Sequence, residues 1–200
     1  HLYLHSFPTR RSSDLQQASR FNVYYNTVYL DTLVTAATHH SAVLVLTNFG
    51  VSTADVRNNI FVNLMGVGSG VSRASVIYAS STANLLRLAP TSNNNLYFAG
   101  TPTAKNLISF DVTNADSTLN QYRLRIGGGR DVNSFSALPP FINTATKPYD
   151  LRNSTTIANP ANNGGLPISG YATDYFGTAR STTTPDLRSE ERRVWKDFSY

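Results

Sequence analysis

The chain has 200 residues, of which 17 are Lys or Arg and 12 are Asp or Glu, and its formal net charge is +5 at pH 7. This length allows one domain with a sizeable core. Because Cys is absent, neither a disulfide framework nor a thiolate metal site can form. No apolar run reaches the length that spans a bilayer.

The two ends of the chain differ in character from the interior. Residues 5–15 (HSFPTRRSSDL) and 188–194 (RSEERRV) can be back-translated into complementary strands of one short DNA sequence, and both resemble a translated sequencing adapter. We therefore expect residues 1–15 and 188–200 to be adapter-derived and to pack poorly, and the natural chain to occupy residues 16–187. Six basic and four acidic residues lie in these ends, which leaves 11 basic and 8 acidic residues. This modest charge argues against nucleic-acid binding.

The interior has the pattern of three cycles of three short strands, rich in β-branched and aromatic residues and separated by turn residues. The first series is YYNTVYL, RNNIFV and NNNLYF at residues 24–30, 57–62 and 93–98. The second is AVLVLT, SVIYAS and LISFDV at 42–47, 75–80 and 107–112. The third is TADVR, NLLRLA and QYRLRI at 53–57, 84–89 and 121–126. No long stretch shows a clear helical periodicity.

Repeats of this length are typical of solenoids and propellers. Three strands per cycle predict an all-β fold, a right-handed parallel β-helix of about three coils in which equivalent residues stack. The expected interior ladders are Val28/Ile60/Leu96, Val43/Val76/Ile108 and Val56/Leu86/Leu124. The alternative is a β-sandwich, which also uses short strands but does not require a fixed interval.

Asparagine recurs at the same place in the first series, as Asn26, Asn59 and Asn95. Its amide can hydrogen-bond backbone groups, and it tolerates a left-handed backbone at turns. We expect these three residues to form a structural ladder of stacked amides at one corner. The alternative is that asparagine is merely frequent in surface turns.

Motifs of a different kind follow the third cycle. Asp131, Asn133, Ser134, Pro139 and Phe141 fit a D-x-NS…P-x-F stretch. Asp174, Gly177 and Arg180 fit D-x-x-G-x-x-R, and residues 185–187 (PDL) fit the start of P-D-[IL]-G-A-x-E. Together these motifs resemble the closing region of exported bacterial parallel β-helix proteins of the pectate-lyase-like superfamily.

The resemblance implies a secreted or cell-surface protein in which a C-terminal cap begins at about residue 131. It also implies that the motif residues organise the end of the fold and do not perform chemistry. Those residues are Asp131, Asn133, Asp174, Gly177 and Arg180.

The acidic residues are too few and too scattered for the usual carbohydrate-active sites. Residues 16–187 contain no Glu, whereas Ca²⁺ prefers about six to eight oxygen ligands and a glycoside hydrolase uses two carboxylates. Asp55 and Arg57 share a strand face, so they are the candidate ligand and base of a Ca²⁺-dependent lyase site. The alternative for this pair is an exposed ion pair worth under about 1 kcal/mol. His39 and His40 are expected in a solvated loop.

An external aromatic stack is predicted in the first series, at the equivalent positions Tyr29, Phe61 and Tyr97. Such a stack either receives a sugar ring or serves packing.

Fold does not determine function, but the missing acid clusters favour a non-catalytic structural, adhesive or glycan-binding module of a secreted or cell-surface protein. Its expected partner is a polysaccharide or cell-surface glycan, with no cofactor. The alternative is a fragment of a polysaccharide lyase or glycoside hydrolase whose active site lies in upstream coils.

Overall fold

A computed structural model of the chain describes residues 20–32, 37–47, 52–147, 149–153, 159–174 and 177–187. Within these ranges the chain is mostly β-strand with few helices, in agreement with the all-β prediction at this level. The sheets are short and do not close into a solenoid. The expectation that residues 1–15 and 188–200 pack poorly concerns residues outside the described ranges.

The strands are β1 (Arg20–Tyr24), β2 (Thr27–Leu30), β3 (His40–Leu46), β4 (Thr53–Arg57), β5 (Ile60–Asn63), β6 (Arg73–Ala79), β7 (Leu96–Phe98), β8 (Asn106–Phe110), β9 (Ala115–Asp116), β10 (Phe141–Asn143) and β11 (Asp150–Asn153), and the helices are α1 (Thr82–Leu85) and α2 (Leu119–Ile126).

Strands from successive cycles pair in parallel. We call β1–β3 the first cycle, β4–β6 the second, and residues 88–110, which include β7 and β8, the third. β1 pairs with β4, β2 with β5 and then β7, and β3 with β6 and then β8. Thr27 lies opposite Ile60 and His40 opposite Arg73. Parallel pairing requires a long crossover between partners, and here the remainder of each cycle supplies it.

The second series pairs as the sequence predicts. Ala42 lies opposite Ser75, and Ser75 lies opposite Leu107. Val76 and Ile108 belong to the main core, and Val43 packs against that core.

The first series pairs one position away from its predicted ladder. Val28 lies opposite Phe61, which lies opposite Tyr97, so the ladder Val28/Ile60/Leu96 was wrong. The prediction equated Val28 with Ile60, whereas Thr27 pairs with Ile60 and the three asparagines stay in register.

The third series is not a set of equivalent strands. Only residues 53–57 form a strand, because Ser81 caps α1 and a capping box between Thr118 and Gln121 begins α2. QYRLRI alternates as a strand would, but the spacing of Leu119, Tyr122 and Ile126 is helical, and these three residues form the buried face of α2. The ladder Val56/Leu86/Leu124 was therefore wrong: Val56 is fully buried, whereas Leu86 is 43% and Leu124 77% exposed.

The sheet β2–β5–β7 is covered on both faces. Val28, Phe61 and Tyr97 point into the main core, which α2 completes on one side. Ile60, Val62 and Leu96 point the other way, into a second cluster with Ala161 and Leu187. Burial on both faces explains why these strands have continuous apolar runs instead of an alternating pattern.

A C-terminal segment runs back along the outside of the cycles, and we call residues 161–171 the strap. Its contacts are with corner residues that have a left-handed backbone: Tyr25, Asn58 and Asn94 have φ values of 57°, 57° and 56°. The Nδ2 of Asn94 donates to Gly164 O at 2.8 Å, and that of Asn58 donates to Leu166 O at 2.7 Å. The Oη of Tyr25 donates to Leu166 O at 3.3 Å. The strap thus passes the third cycle first and the first cycle last.

Candidate functional site

A row of hydrogen-bonded side-chain amides, from Asn26, Asn59 and Asn95, joins the three cycles next to the left-handed corner residues. The Oδ1 of Asn59 accepts the backbone N–H and the Nδ2 of Asn26, at 2.9 and 3.0 Å. The Oδ1 of Asn95 accepts the same two groups of Asn59, at 3.0 and 2.9 Å. The Nδ2 of Asn59 also donates to Val23 O, and that of Asn95 to Val56 O. The structure thus places the three predicted asparagines in one ladder.

Asp131 ends the ladder after the third cycle. Its Oδ1 accepts from Asn95 Nδ2 at 3.0 Å, while Ser134 Oγ accepts the backbone N–H of Asn95 at 2.9 Å. Ser134, Tyr122 and Tyr97 donate their hydroxyls to the same carboxylate. Burial raises the pKa of Asp131, and these hydrogen bonds only partly oppose that effect. Because Asp131 is fully buried, it does not reach a ligand.

The other C-terminal motif residues shape loops. Asn133 is exposed, and its backbone N–H donates to a third-cycle asparagine side chain at 2.8 Å. The side chain of Asp174 accepts a backbone N–H four residues further along at 2.8 Å, and Gly177 has a φ of 82° in the same turn. Arg180 places its guanidinium carbon 3.9 Å from the ring centre of Tyr25, a cation–π contact that holds this turn against the first cycle.

Asp55, the predicted metal ligand, lies in a saturated network. Tyr24 Oη donates to its Oδ2 at 2.6 Å, Arg57 Nη2 to Oδ2 at 2.8 Å, and Thr91 Oγ1 to Oδ1 at 2.9 Å. Arg20 forms a second ion pair with it. The Asp55 side chain is fully buried, so this is not the exposed ion pair that the sequence offered as an alternative.

This network does not suit proton abstraction. Burial opposes the charge of Asp55, but the donors Tyr24, Thr91, Arg57 and Arg20 outweigh it and lower the pKa. Burial also opposes the charge of Arg57, but the hydrogen bonds of Arg57 to Tyr24 and Asp55 outweigh burial and raise the pKa of Arg57. Burial raises the pKa of Tyr24 as well. A general base needs a pKa near the working pH, so Arg57 and Tyr24 are poor candidates. Asp55 is equally unsuited to Ca²⁺, since two guanidinium groups already neutralise it.

A second buried network fixes α2 to the strands. Arg125 forms ion pairs with Asp111 and Asp116 and donates to Ser109 Oγ at 2.6 Å. Burial opposes the charge of Asp111, but bonds from Thr82 and the Asn114 backbone, together with the charge of Arg125, lower its pKa. Both carboxylates thus serve packing of the helix.

The predicted external aromatic stack does not lie on the surface of the protein. Phe61 is 2% exposed and Tyr97 is fully buried, so neither ring is accessible to a sugar. Tyr29 lies opposite Val62 and not opposite Phe61, and its ring packs edge-on against Phe141 at 5.7 Å and Tyr149 at 5.8 Å. Phe61 and Tyr97 do lie opposite each other, with ring centres 6.2 Å apart inside the main core, whereas Tyr29 packs against the second cluster. The predicted stack was therefore wrong in its external position and in its inclusion of Tyr29.

Three other rings meet on a partly exposed surface of the sheet β3–β6–β8. We call His40, Tyr78 and Phe110 the aromatic face. The His40 ring centre lies 4.9 Å from that of Tyr78 and 5.1 Å from that of Phe110. The guanidinium carbon of Arg73 lies 4.5 Å from the Phe110 ring centre. An open depression of about 530 Å³ adjoins these rings, lined by Leu30, His40, Ser41, Ala42, Val45 and Tyr78.

His40 supplies the polar chemistry of the aromatic face. It is the first residue of β3, so its expected place in a loop was wrong. Its Nε2 lies 3.2 Å from Ser75 Oγ. Burial lowers its pKa, and the charges of Arg73 and His39 lower it further, so the ring is neutral at neutral pH and carries one donor and one acceptor. Val45, 52% exposed, adds an apolar rim.

Sequence reasoning missed the aromatic face although one signal was present. His40 and Arg73 are separated by the same interval as Asn26 and Asn59, which would have extended the second series back to His40. The approach of Phe110 to His40 depends on strand geometry that no residue spacing reveals.

Comparisons with protein-family models, curated proteins and solved structures gave no match to this chain. Among the described residues, no three His, Cys, Asp or Glu side chains come together as a metal site. In that part of the chain no helix has the length and apolar character needed to cross a membrane.

Proposed function

We propose that this chain is a parallel β-helix module that binds glycan without acting on it chemically, as part of a secreted or cell-surface protein. The parallel pairing of three cycles and the amide ladder support the β-helix. The exported location rests on the resemblance of the closing motifs to the pectate-lyase-like superfamily.

The aromatic face carries the glycan proposal. A sugar ring has apolar C–H faces that pack on aromatic rings, while its hydroxyls need nearby donors and acceptors. Tyr78 and His40 line the depression, so an aromatic ring and the polar groups of an imidazole converge there. The size of the depression lies within the range of small-ligand sites.

The saturated carboxylates support the non-catalytic part. Asp55 and Asp111 are ion-paired with arginines, and Asp131 is buried among hydroxyl and amide donors. A glycoside hydrolase would need two accessible carboxylates on either side of the sugar bond, and these three residues do not provide them.

Binding of a panel of acidic and neutral oligosaccharides to the full chain tests the proposal by calorimetry. Tyr78→Ala should weaken binding about tenfold, as expected for the loss of one stacking ring. Tyr171→Ala is the matched control, because this exposed tyrosine lies on the strap, outside the depression. Absence of binding to any glycan, or equal loss in both variants, would overturn the assignment. Release of products from pectin or alginate by the chain would overturn its non-catalytic part.

A further inference from the structure

The first cycle presents an open end. Among the described residues, β1, β2 and β3 each have a strand partner on one side only, the side of the second cycle. Every second residue of such a strand points its backbone N–H and C=O away from that partner. Unpaired strand edges of this kind readily accept another strand.

The core is also less covered at this end. Val23 of β1 is half-buried, whereas Val56, opposite it in β4, is fully buried. Val43 of β3 is half-buried, whereas Val76 of β6 is fully buried. In stacked repeats a terminal unit without a polar outer face leaves apolar surface that needs a neighbour.

The other end of the stack is closed. α2 adds Leu119, Tyr122 and Ile126 to the core beside the third cycle, and the Tyr122 ring packs edge-on against Tyr97 at 6.0 Å. β9 pairs with β8 in the antiparallel direction, and Phe135 forms a parallel bridge to Leu96 of β7, so both outer strands of the third cycle have a partner beyond them. Of the three cycles, the first is therefore the one whose strand edges are open among the described residues.

Asn26 specifies what fits the open end. In the ladder, each asparagine Oδ1 accepts the backbone N–H and the Nδ2 of the equivalent residue one cycle earlier. Asn26 Nδ2 donates to Tyr24 O and to Asn59 Oδ1, but its own Oδ1 accepts from no group of the described residues. That oxygen is positioned to receive the same pair of donors from a preceding asparagine.

We propose that the open end of the first cycle binds an extended segment of another polypeptide that has the form strand, left-handed residue, asparagine, strand. The segment adds in parallel to β1 and β2, and its asparagine donates to Asn26 Oδ1. A second copy related by twofold symmetry is a poorer occupant, because it would meet β1 in the antiparallel direction and could not repeat this ladder.

A fluorescent peptide with the second-cycle sequence of residues 53–63 (TADVRNNIFVN) tests the proposal on the full chain by anisotropy. Its asparagine at the position of Asn59 should donate to Asn26. The matched peptide with alanine at that position should bind about fivefold to tenfold more weakly, since one side-chain hydrogen bond is lost. In the Asn26→Ala chain, checked for folding by circular dichroism, the two peptides should bind alike.

Hydrogen exchange locates the peptide. Binding should protect the outward-facing amides of Thr27 and Tyr29 and leave those of α2 unchanged. Absence of binding up to about 1 mM, equal binding of the two peptides to the unaltered chain, or protection elsewhere would overturn the proposal. A dimer whose interface protects these same amides without peptide would also overturn it, since a second copy would then occupy the edge.

Discussion

Substitution of Asn59 by alanine measures the energetic weight of the amide ladder. The side chain is fully buried; its Oδ1 accepts two hydrogen bonds from Asn26, and its Nδ2 donates to Val23 O, Arg57 O and Asn95 Oδ1. Because Nδ2 has two hydrogens, four bonds is the effective number. At about 1 kcal/mol net for each, Asn59→Ala should lose about 4 kcal/mol, a large part of the 5–15 kcal/mol expected for a domain.

Urea unfolding followed by circular dichroism measures this loss in the free energy of unfolding. In thermal unfolding, the expected fall in Tm is about 8–16 °C for a domain of this size. Asn26→Ala is the matched control, because the Asn26 side chain donates to only two acceptors, Tyr24 O and Asn59 Oδ1, and should lose about 1–2 kcal/mol. Equal losses for the two variants, or a loss under about 1 kcal/mol for Asn59→Ala, would refute the reasoning.

Two further predictions concern buried charges. Burial raises the pKa of Asp131 above the unfolded value of 3.8, so its contribution to stability is complete below that value and is lost as the pH rises through the folded-state pKa. Asp131→Asn should therefore gain stability relative to the unaltered chain as the pH rises, in unfolding curves from about pH 4 to pH 8; a parallel pH dependence of the two proteins would contradict this. Arg125→Gln leaves Asp111 and Asp116 without their cation and should lose about 3–5 kcal/mol, whereas Leu124→Ala, on the exposed side of α2, should change stability by at most about 0.5 kcal/mol. Urea unfolding at pH 7 compares the pair, and similar small losses would show that the arginine network is not stabilising.

The sequence allowed the strands that repeat at a fixed interval to be predicted, because period and residue type agree there. Asn26, Asn59 and Asn95 marked the corner correctly, and the second series paired in the predicted register. The adjoining ladder failed by one residue at Thr27, and a shift of one reverses which face each side chain occupies. This is why Phe61 and Tyr97 were placed outside although they are in the core.

The helix α2 and the role of Asp55 could not be predicted, for different reasons. The alternation in QYRLRI predicts a strand, and the signal for a helix is the capping box at Thr118 and Gln121, which lies at and before the start of that segment. The role of Asp55 depended on Thr91 and Arg20, which lie 36 and 35 residues away in sequence. Such partners follow from the register of the cycles and from side-chain rotamers, not from local pattern.

The strap has a consequence for how the chain folds. A stack of cycles held only by neighbouring contacts can fray from one end, since each cycle depends on the next alone. The strap joins Asn94 to Gly164, Asn58 to Leu166 and Tyr25 to Leu166, over sequence separations of 70, 108 and 141 residues. Contacts so distant in sequence form slowly, because the cycles they bridge must already be assembled. The strap should therefore dock last, and its docking makes the unfolding of the three cycles a single cooperative event.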